Sequence, residues 1–233
     1  MLFFSFAYQM VGNSSTNFTF TPMPIPVLLV SFFQKLWLLI NQWDTWLFLK
    51  INTVWTSPFL DSIFPWWREA NAWIPLYLFL LVFAVMNFKK KALPWILFVI
   101  ITLLLTDQLS SSFIKNWFAR PRPCRDEFLM SHVRLLLNNC SGTYSFTSSH
   151  AVNHFGFAVY LFITLRSVFK KWRYLFLVWA ATICYAQVYV GIHYPLDVFC
   201  GALLGCGIGY LTATIFHKRT GLLSFDTAKP LHS

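Results

Sequence analysis

The chain has 233 residues, 57% of them hydrophobic and only 11% charged, with a mean hydropathy of +0.57. A water-soluble domain carries about 25% charge, so the composition excludes an ordinary soluble globule and points to one membrane-embedded domain. The net charge of +10 does not indicate nucleic acid, because the basic residues stand between apolar spans and not along a solvated face.

Residues 1–26 read as an N-terminal extension. No basic stretch precedes their apolar start, so they do not resemble a cleavable signal, and Asn13 and Asn17 head glycosylation sequons. Residues 27–219 form the expected membrane domain, and 220–233 a cytoplasmic tail. Within that domain, Val27 to Ile51 is apolar but interrupted by Gln34, Lys35, Asn41, Gln42, Asp44 and Lys50. It reads as an amphipathic helix in the interface or a helix with a short insertion, with a full span as the alternative. Five further apolar runs approach or reach bilayer length: Trp73–Phe88, Leu93–Phe113, Ala151–Leu165, Tyr174–Val190 and Leu196–Phe216. The fold class expected is therefore an all-α integral membrane bundle of five to six helices.

Loop charge orients this bundle. Lys89–Lys91, the cluster Arg166, Lys170, Lys171 and Arg173, and the pair Lys218 and Arg219 fall on one side, which the positive-inside rule assigns to the cytoplasm. The opposite side receives the loop from Ile114 to Ser149 and the turn around His193. That side is also basic, with Lys115, Arg120, Arg122, Arg125 and Arg134, and an anionic substrate there accounts for the excess. Cys184, Cys200 and Cys206 lie in apolar stretches and read as buried thiols. Cys124 and Cys140 flank a polar segment and are expected to bridge if it faces an oxidising compartment.

Three segments converge on that side. Lys115–Pro123 offers a lysine point charge and, at Arg122, a planar fork for phosphate oxygens; a snorkelling juxtamembrane cluster is the bland alternative. Phe146–His150 precedes an apolar helix, so Ser148 or Ser149 can cap it and its first N–H groups can bind an anion. In Gln187–Asp197, His193 and Asp197 are four residues apart around Pro195, and share a face if helical. Asp197 can then hold one ring nitrogen of His193 and leave the other free to attack phosphorus.

Together these spacings resemble the type 2 phosphatidic acid phosphatase superfamily, which is related to the vanadium haloperoxidases. The resemblance covers roughly Leu36–Phe216 and is strongest over Asp107–Pro123, Tyr144–Asn153 and Tyr185–Gly201. It implies a six-helix bundle and a phosphohistidine intermediate, with no metal and no cofactor. By it, His193 resembles the nucleophile, Asp197 its orienting carboxylate and His150 the general acid, with Lys115, Arg122, Ser148 and Ser149 binding phosphate. One departure stands out: the third motif normally opens Ser-Arg, and here those positions are Ala186 and Gln187. Gln187 can donate only a neutral hydrogen bond, so Arg120 or Arg125 is a candidate to fill the same pocket.

The reading is a membrane phosphatase of a lipid phosphate or diphosphate, its partners the bilayer and that lipid. Substrates compatible with it are undecaprenyl diphosphate, phosphatidic acid, phosphatidylglycerol phosphate and lipid A phosphate. The expected location is a bacterial inner membrane, with the site facing the periplasm or outside. The alternative is a catalytically weak or inactive homologue that binds or transports anionic lipids.

Overall fold

A computed structural model describes residues 25–220 except 141 and 143, with side chains described from residue 32. The two sequons, most of the N-terminal extension and the tail beyond Thr220 lie outside these residues. The chain divides after Ile40 into two units. The first contributes the beginning of helix α1 (Ile25–Leu49), and the second begins at Asn41.

All regular structure among the described residues is helical. After α1 and a π-helical turn at Lys50–Val54 come α2 (Pro58–Trp67), α3 (Ile74–Phe88) and α4 (Ala92–Gln108). A π-helical stretch, Leu109–Ile114, continues α4 into α5 (Lys115–Phe118). A long loop leads to α6 (Ser149–Thr164), then the short α7 (Arg166–Phe169), α8 (Tyr174–Tyr189) and α9 (Pro195–Arg219). The five apolar runs in the sequence thus lie on α3, α4, α6, α8 and α9. The stretch Ala70–Phe118 and the helix Pro195–Arg219 are each long and apolar enough to cross a membrane. Ser149–Thr164 and Arg166–Tyr189 pass the same test together, bent by 70°. The chain is a multi-pass membrane protein.

Apolar side chains face outward as well as inward. Leu78, Val82 and Met86 on α3 and Leu203 and Leu211 on α9 are more than half exposed, which suits lipid contact and not water. Several polar groups inside are paired. Trp95 Nε1 donates to Thr164 Oγ1 at 3.0 Å, and Thr102 Oγ1 donates to Thr212 Oγ1 at 2.8 Å, so hydroxyls tie α4 to α6 and α9 where hydrocarbon offers no substitute.

The closest helix pair is α6 with α9, and glycine permits it. A Cβ built at Gly205 would lie 2.3 Å from the Val152 carbonyl oxygen, and one at Gly209 would lie 2.3 Å from that of Gly156. Small residues let helix backbones approach in lipid, where packing takes the place of the hydrophobic drive. This contact fixes the start of α6 against the start of α9, the ends that carry His150 and Asp197.

A paired substitution tests this seam. Gly205→Ala should lower the thermal midpoint in detergent sharply, since its methyl meets backbone. Gly207→Ala, with nothing within 4 Å of its added Cβ, should leave the midpoint unchanged or raise it, by the roughly 0.5–1 kcal/mol that alanine gains over glycine in a helix. Equal effects would show that the close approach does not hold the pair together.

Candidate active site

Helix α8 ends at Tyr189, and Gly191 follows at φ +94°. A side chain there would be strained by that angle and would also meet the Arg134 carbonyl oxygen at 2.9 Å. The resulting turn carries His193 to the mouth of α9. Pro195 starts that helix, and Asp197 at its third position accepts the Tyr194 N–H through Oδ2 at 2.9 Å. A carboxylate in a first helical turn is favoured by the exposed N–H groups.

Asp197 is fully buried and holds several chain segments. Its Oδ1 accepts from Arg120 at 2.7 Å, its Oδ2 accepts from the Ser145 hydroxyl, and its carbonyl accepts the Ser148 N–H at 3.1 Å. Arg120 reaches on to Asp44 Oδ2 at 2.7 Å and lies 3.9 Å over the Tyr194 ring. Asp44 Oδ1 accepts the Leu196 N–H at 2.7 Å. Arg120 is therefore a structural bridge between two buried carboxylates. Burial works against its charge, but Asp197 and then Asp44 outweigh that and raise its pKa.

His193 sits on this platform, 1% exposed. Its Nδ1 lies 3.4 Å from Ser145 Oγ and 3.8 Å from Asp197 Oδ2. The second distance is too long for a hydrogen bond, so the Ser145 hydroxyl, which contacts both, links ring and carboxylate. On the other edge of the ring, Arg122 Nη1 lies 3.3 Å from Nε2. A guanidinium only donates, so Nε2 carries the lone pair and Nδ1 the proton. Burial first, opposed by the Asp197 contact and reinforced by the charges of Arg122 and Lys115, depresses the His193 pKa to about 4. The ring is neutral at pH 7, with its lone-pair nitrogen facing a cation.

Arg122 is 6% exposed, with its Nη1 also 3.4 Å from the Ile192 carbonyl oxygen. Burial, then the charge of Arg68, lowers its pKa to about 10. Its Nε and the Nε2 of Gln187 are buried and find no partner among the described residues; both are donors an anion would satisfy. Ser148 caps α6, its Oγ accepting the Ala151 N–H at 3.4 Å. Ser149 Oγ lies 3.1 Å from Ser111 Oγ, one turn before Lys115. His150, half-buried, lines a cavity of about 560 Å³ walled mainly by apolar residues of α3, α4 and α6, among them Leu80, Trp95, Val99 and Phe157.

Arg120 and Arg125 do not fill the place of the missing motif arginine. Arg120 is committed to its carboxylates, and Arg125 is exposed, donating to the Cys140 carbonyl at 2.8 Å. Cys124 and Cys140 are disulfide-bonded, closing the loop that follows Arg122. Three residues of the site were not read from the sequence as such: Asp44, Arg68 and Ser145. For Asp44, the available signal was a charge inside an apolar run.

Residues 92–221 match the PAP2 superfamily. A lipid A 4'-phosphatase of Bacteroides thetaiotaomicron is 35% identical over 190 residues, covering 80% of this chain and 83% of that protein. The crystal structure of Aquifex aeolicus LpxE aligns at 30% identity with a TM-score of 0.52, over 72% of this chain and 93% of that one. The fold also matches a transmembrane PAP2 type phosphatidylglycerolphosphate phosphatase from Bacillus subtilis, with a TM-score of 0.59 at 21% identity, over 83% and 96% of the two chains.

The depressed His193 pKa has a consequence for stability. An unfolded histidine binds its proton near pH 6.5 and the folded one near 4, so between those values the unfolded state holds more protons. Stability should therefore fall as pH drops through this window, by about 3 kcal/mol in all from this group. Unfolding midpoints in detergent should show this loss, and His193→Asn should flatten it. An unchanged pH profile in that variant would show that His193 is not held neutral.

Proposed function

The chain belongs to the PAP2 superfamily, and from that membership we propose that it is a membrane phosphatase cleaving the phosphate ester of a lipid through His193. The observation that carries this is the polarised ring. Its Nδ1 edge faces Ser145 and Asp197, while Nε2 faces the cation Arg122. A phosphate drawn to Arg122 and Lys115 would lie against the Nε2 lone pair.

The reaction then runs in two steps. Nε2 attacks phosphorus, the bond to the ester oxygen breaks, and that oxygen leaves with a proton from His150. Water next attacks phospho-His193 and gives a proton to His150, and the P–N bond breaks to release inorganic phosphate. Arg122 and Lys115 stabilise the charge on the equatorial oxygens, usually the largest single contribution. Asp197 is a positioning residue, acting on the ring through Ser145. Ser149 and Gln187 contribute donors at the edge of the phosphate site, while Ser148 holds the start of α6.

A lipid substrate is supported by the cavity beside His150, whose apolar walls between α3, α4 and α6 suit an acyl chain. Among lipid phosphates we favour a lipid A type phosphoglycolipid, in keeping with the Bacteroides relative. The periplasmic face of a bacterial inner membrane is the proposed location. The Cys124–Cys140 disulfide beside the site accords with an oxidising compartment, and the basic turns Lys89–Lys91 and Lys170–Arg173 lie at the opposite helix ends.

Phosphate release from purified protein in EDTA, across lipid A, undecaprenyl diphosphate, phosphatidylglycerol phosphate and phosphatidic acid, tests the proposal. Lipid A should be hydrolysed fastest, orthovanadate should inhibit, and His193→Ala should lower turnover roughly 10³-fold or more. Near-parental turnover in His193→Ala would remove the nucleophile. Tight binding of these lipids with no phosphate released would favour a binding or transport role.

A further inference from the structure

Gln187 is fully buried, and its carboxamide oxygen is already taken: Arg68 Nε donates to Gln187 Oε1 at 3.2 Å. Arg68 caps the end of α2 and is only 6% exposed. An isolated charge is rarely tolerated at such a depth. Its Nη1 pairs with Glu69, whose carboxylate is half exposed, so the guanidinium stays ionised.

The backbone around it is fixed independently of that pair. Trp67 Nε1 donates to Thr182 Oγ1 of α8 at 3.0 Å, and Trp73 Nε1 donates to the Trp67 carbonyl at 2.8 Å. The Trp67 and Trp73 rings meet edge to face at 4.5 Å. This clamp holds the turn after α2 against α8 just below Gln187. Two residues beyond Arg68, Ala70 lines the same cavity as Ser149 and His150. Arg68 thus stands beside the site, on a different helix from any of the three motifs, and its charge is the largest one lowering the Arg122 pKa after burial. Two guanidiniums drawn together in a buried site repel each other, and a bound dianion would relieve that.

We propose that Arg68, anchored on Gln187, supplies the second guanidinium that holds the substrate phosphate. The neutral Gln187 serves as the anchor: its oxygen fixes the fork, and an arginine at that position would collide with Arg68 in charge and volume. The inference rests on the phosphatase reading above.

The test uses the full chain in detergent, with two readouts: kcat/KM on a lipid phosphate, and the rise in thermal midpoint on adding orthovanadate. Arg68→Ala should cut kcat/KM about 100-fold and abolish most of the vanadate-induced rise. Arg68→Lys, which keeps a charge but loses the fork, should fall between. Gln187→Arg alone should also lose activity, but in the Arg68→Ala background it should recover at least about tenfold, because the guanidinium returns to the same pocket from α8. A merely structural Arg68 would lower the midpoint of the unliganded protein and leave the vanadate response of Arg68→Ala and Arg68→Lys intact, and that result would overturn the proposal. So would an Arg68→Ala protein within twofold of the parent in kcat/KM. If the parent protein binds vanadate but releases no phosphate from any lipid, the phosphatase reading fails, and the vanadate response of the Arg68 variants still decides whether Arg68 holds the anion.

Discussion

One guanidinium between two carboxylates organises this protein. Arg120 joins Asp44 of α1 to Asp197 of α9 across 76 and 77 residues of chain. Each carboxylate in turn fixes backbone: Asp44 takes the Leu196 N–H and Asp197 the Tyr194 N–H, so the start of α9 is pinned from both sides. The loop before α6 joins the same node, with the Ser148 N–H on the Asp197 carbonyl and the Ser145 N–H on the Arg120 carbonyl at 2.8 Å. Removing one member would strand a buried charge, which is strongly destabilising. The position of His193 follows from this lattice and not from any preference of its own.

The lattice explains what could be read in the sequence and what could not. Helices α3, α4, α6, α8 and α9 were legible because lipid-facing segments must be apolar and internally hydrogen-bonded. The helix break before His193 was legible because Gly191 and Pro195 each restrict the backbone in a known way. The partnership of His193 and Asp197 was only half visible. Their spacing placed them together, but the Ser145 hydroxyl between them comes from a loop 48 and 52 residues away, and no local pattern marks it. Asp44 and Arg68 were hidden for the same reason. Each reaches a partner that tertiary packing sets: Asp44 meets the Leu196 N–H across 152 residues, and Arg68, which also pairs with its neighbour Glu69, meets Gln187 across 119. Charges in apolar surroundings are costly without a role, and this cost was the one clue either residue gave.

The substitution of glutamine for the expected arginine at position 187 has a physical logic in this setting. Arg120 cannot serve as its replacement, because leaving Asp44 and Asp197 would dismantle the node. Arg125 lies on the exposed loop closed by the Cys124–Cys140 bridge. Among the described residues, Arg68 meets Gln187 from the end of α2, a helix that the sequence pattern did not connect with the chemistry, and a neutral hydrogen-bond acceptor is what a neighbouring guanidinium needs. A second arginine at 187 would instead add repulsion to a site already holding Arg122.

Charge is also graded across the His193 ring. Both oxygens of Asp44 and both of Asp197 accept hydrogen bonds, as ionised carboxylates do. One guanidinium shared between two such carboxylates leaves a net negative charge behind Nδ1. The cations Arg122 and Lys115 bear on the ring from the phosphate side. Without an anion this gradient keeps the ring neutral, since burial and the two cations outweigh the node. In the proposed reaction, the ring would take on positive charge once Nε2 bonds to phosphorus, with its proton held at Nδ1. That charge would then lie between the negative node and the transferred phosphoryl group. The field is set before the reaction begins, so little reorganisation is required when the charge appears, and preorganised dipoles and charges of this kind act most strongly in a site closed to water. Under the proposed mechanism, the Asp44–Arg120–Asp197 node that pins the start of α9 would thereby also stabilise the phosphorylated histidine.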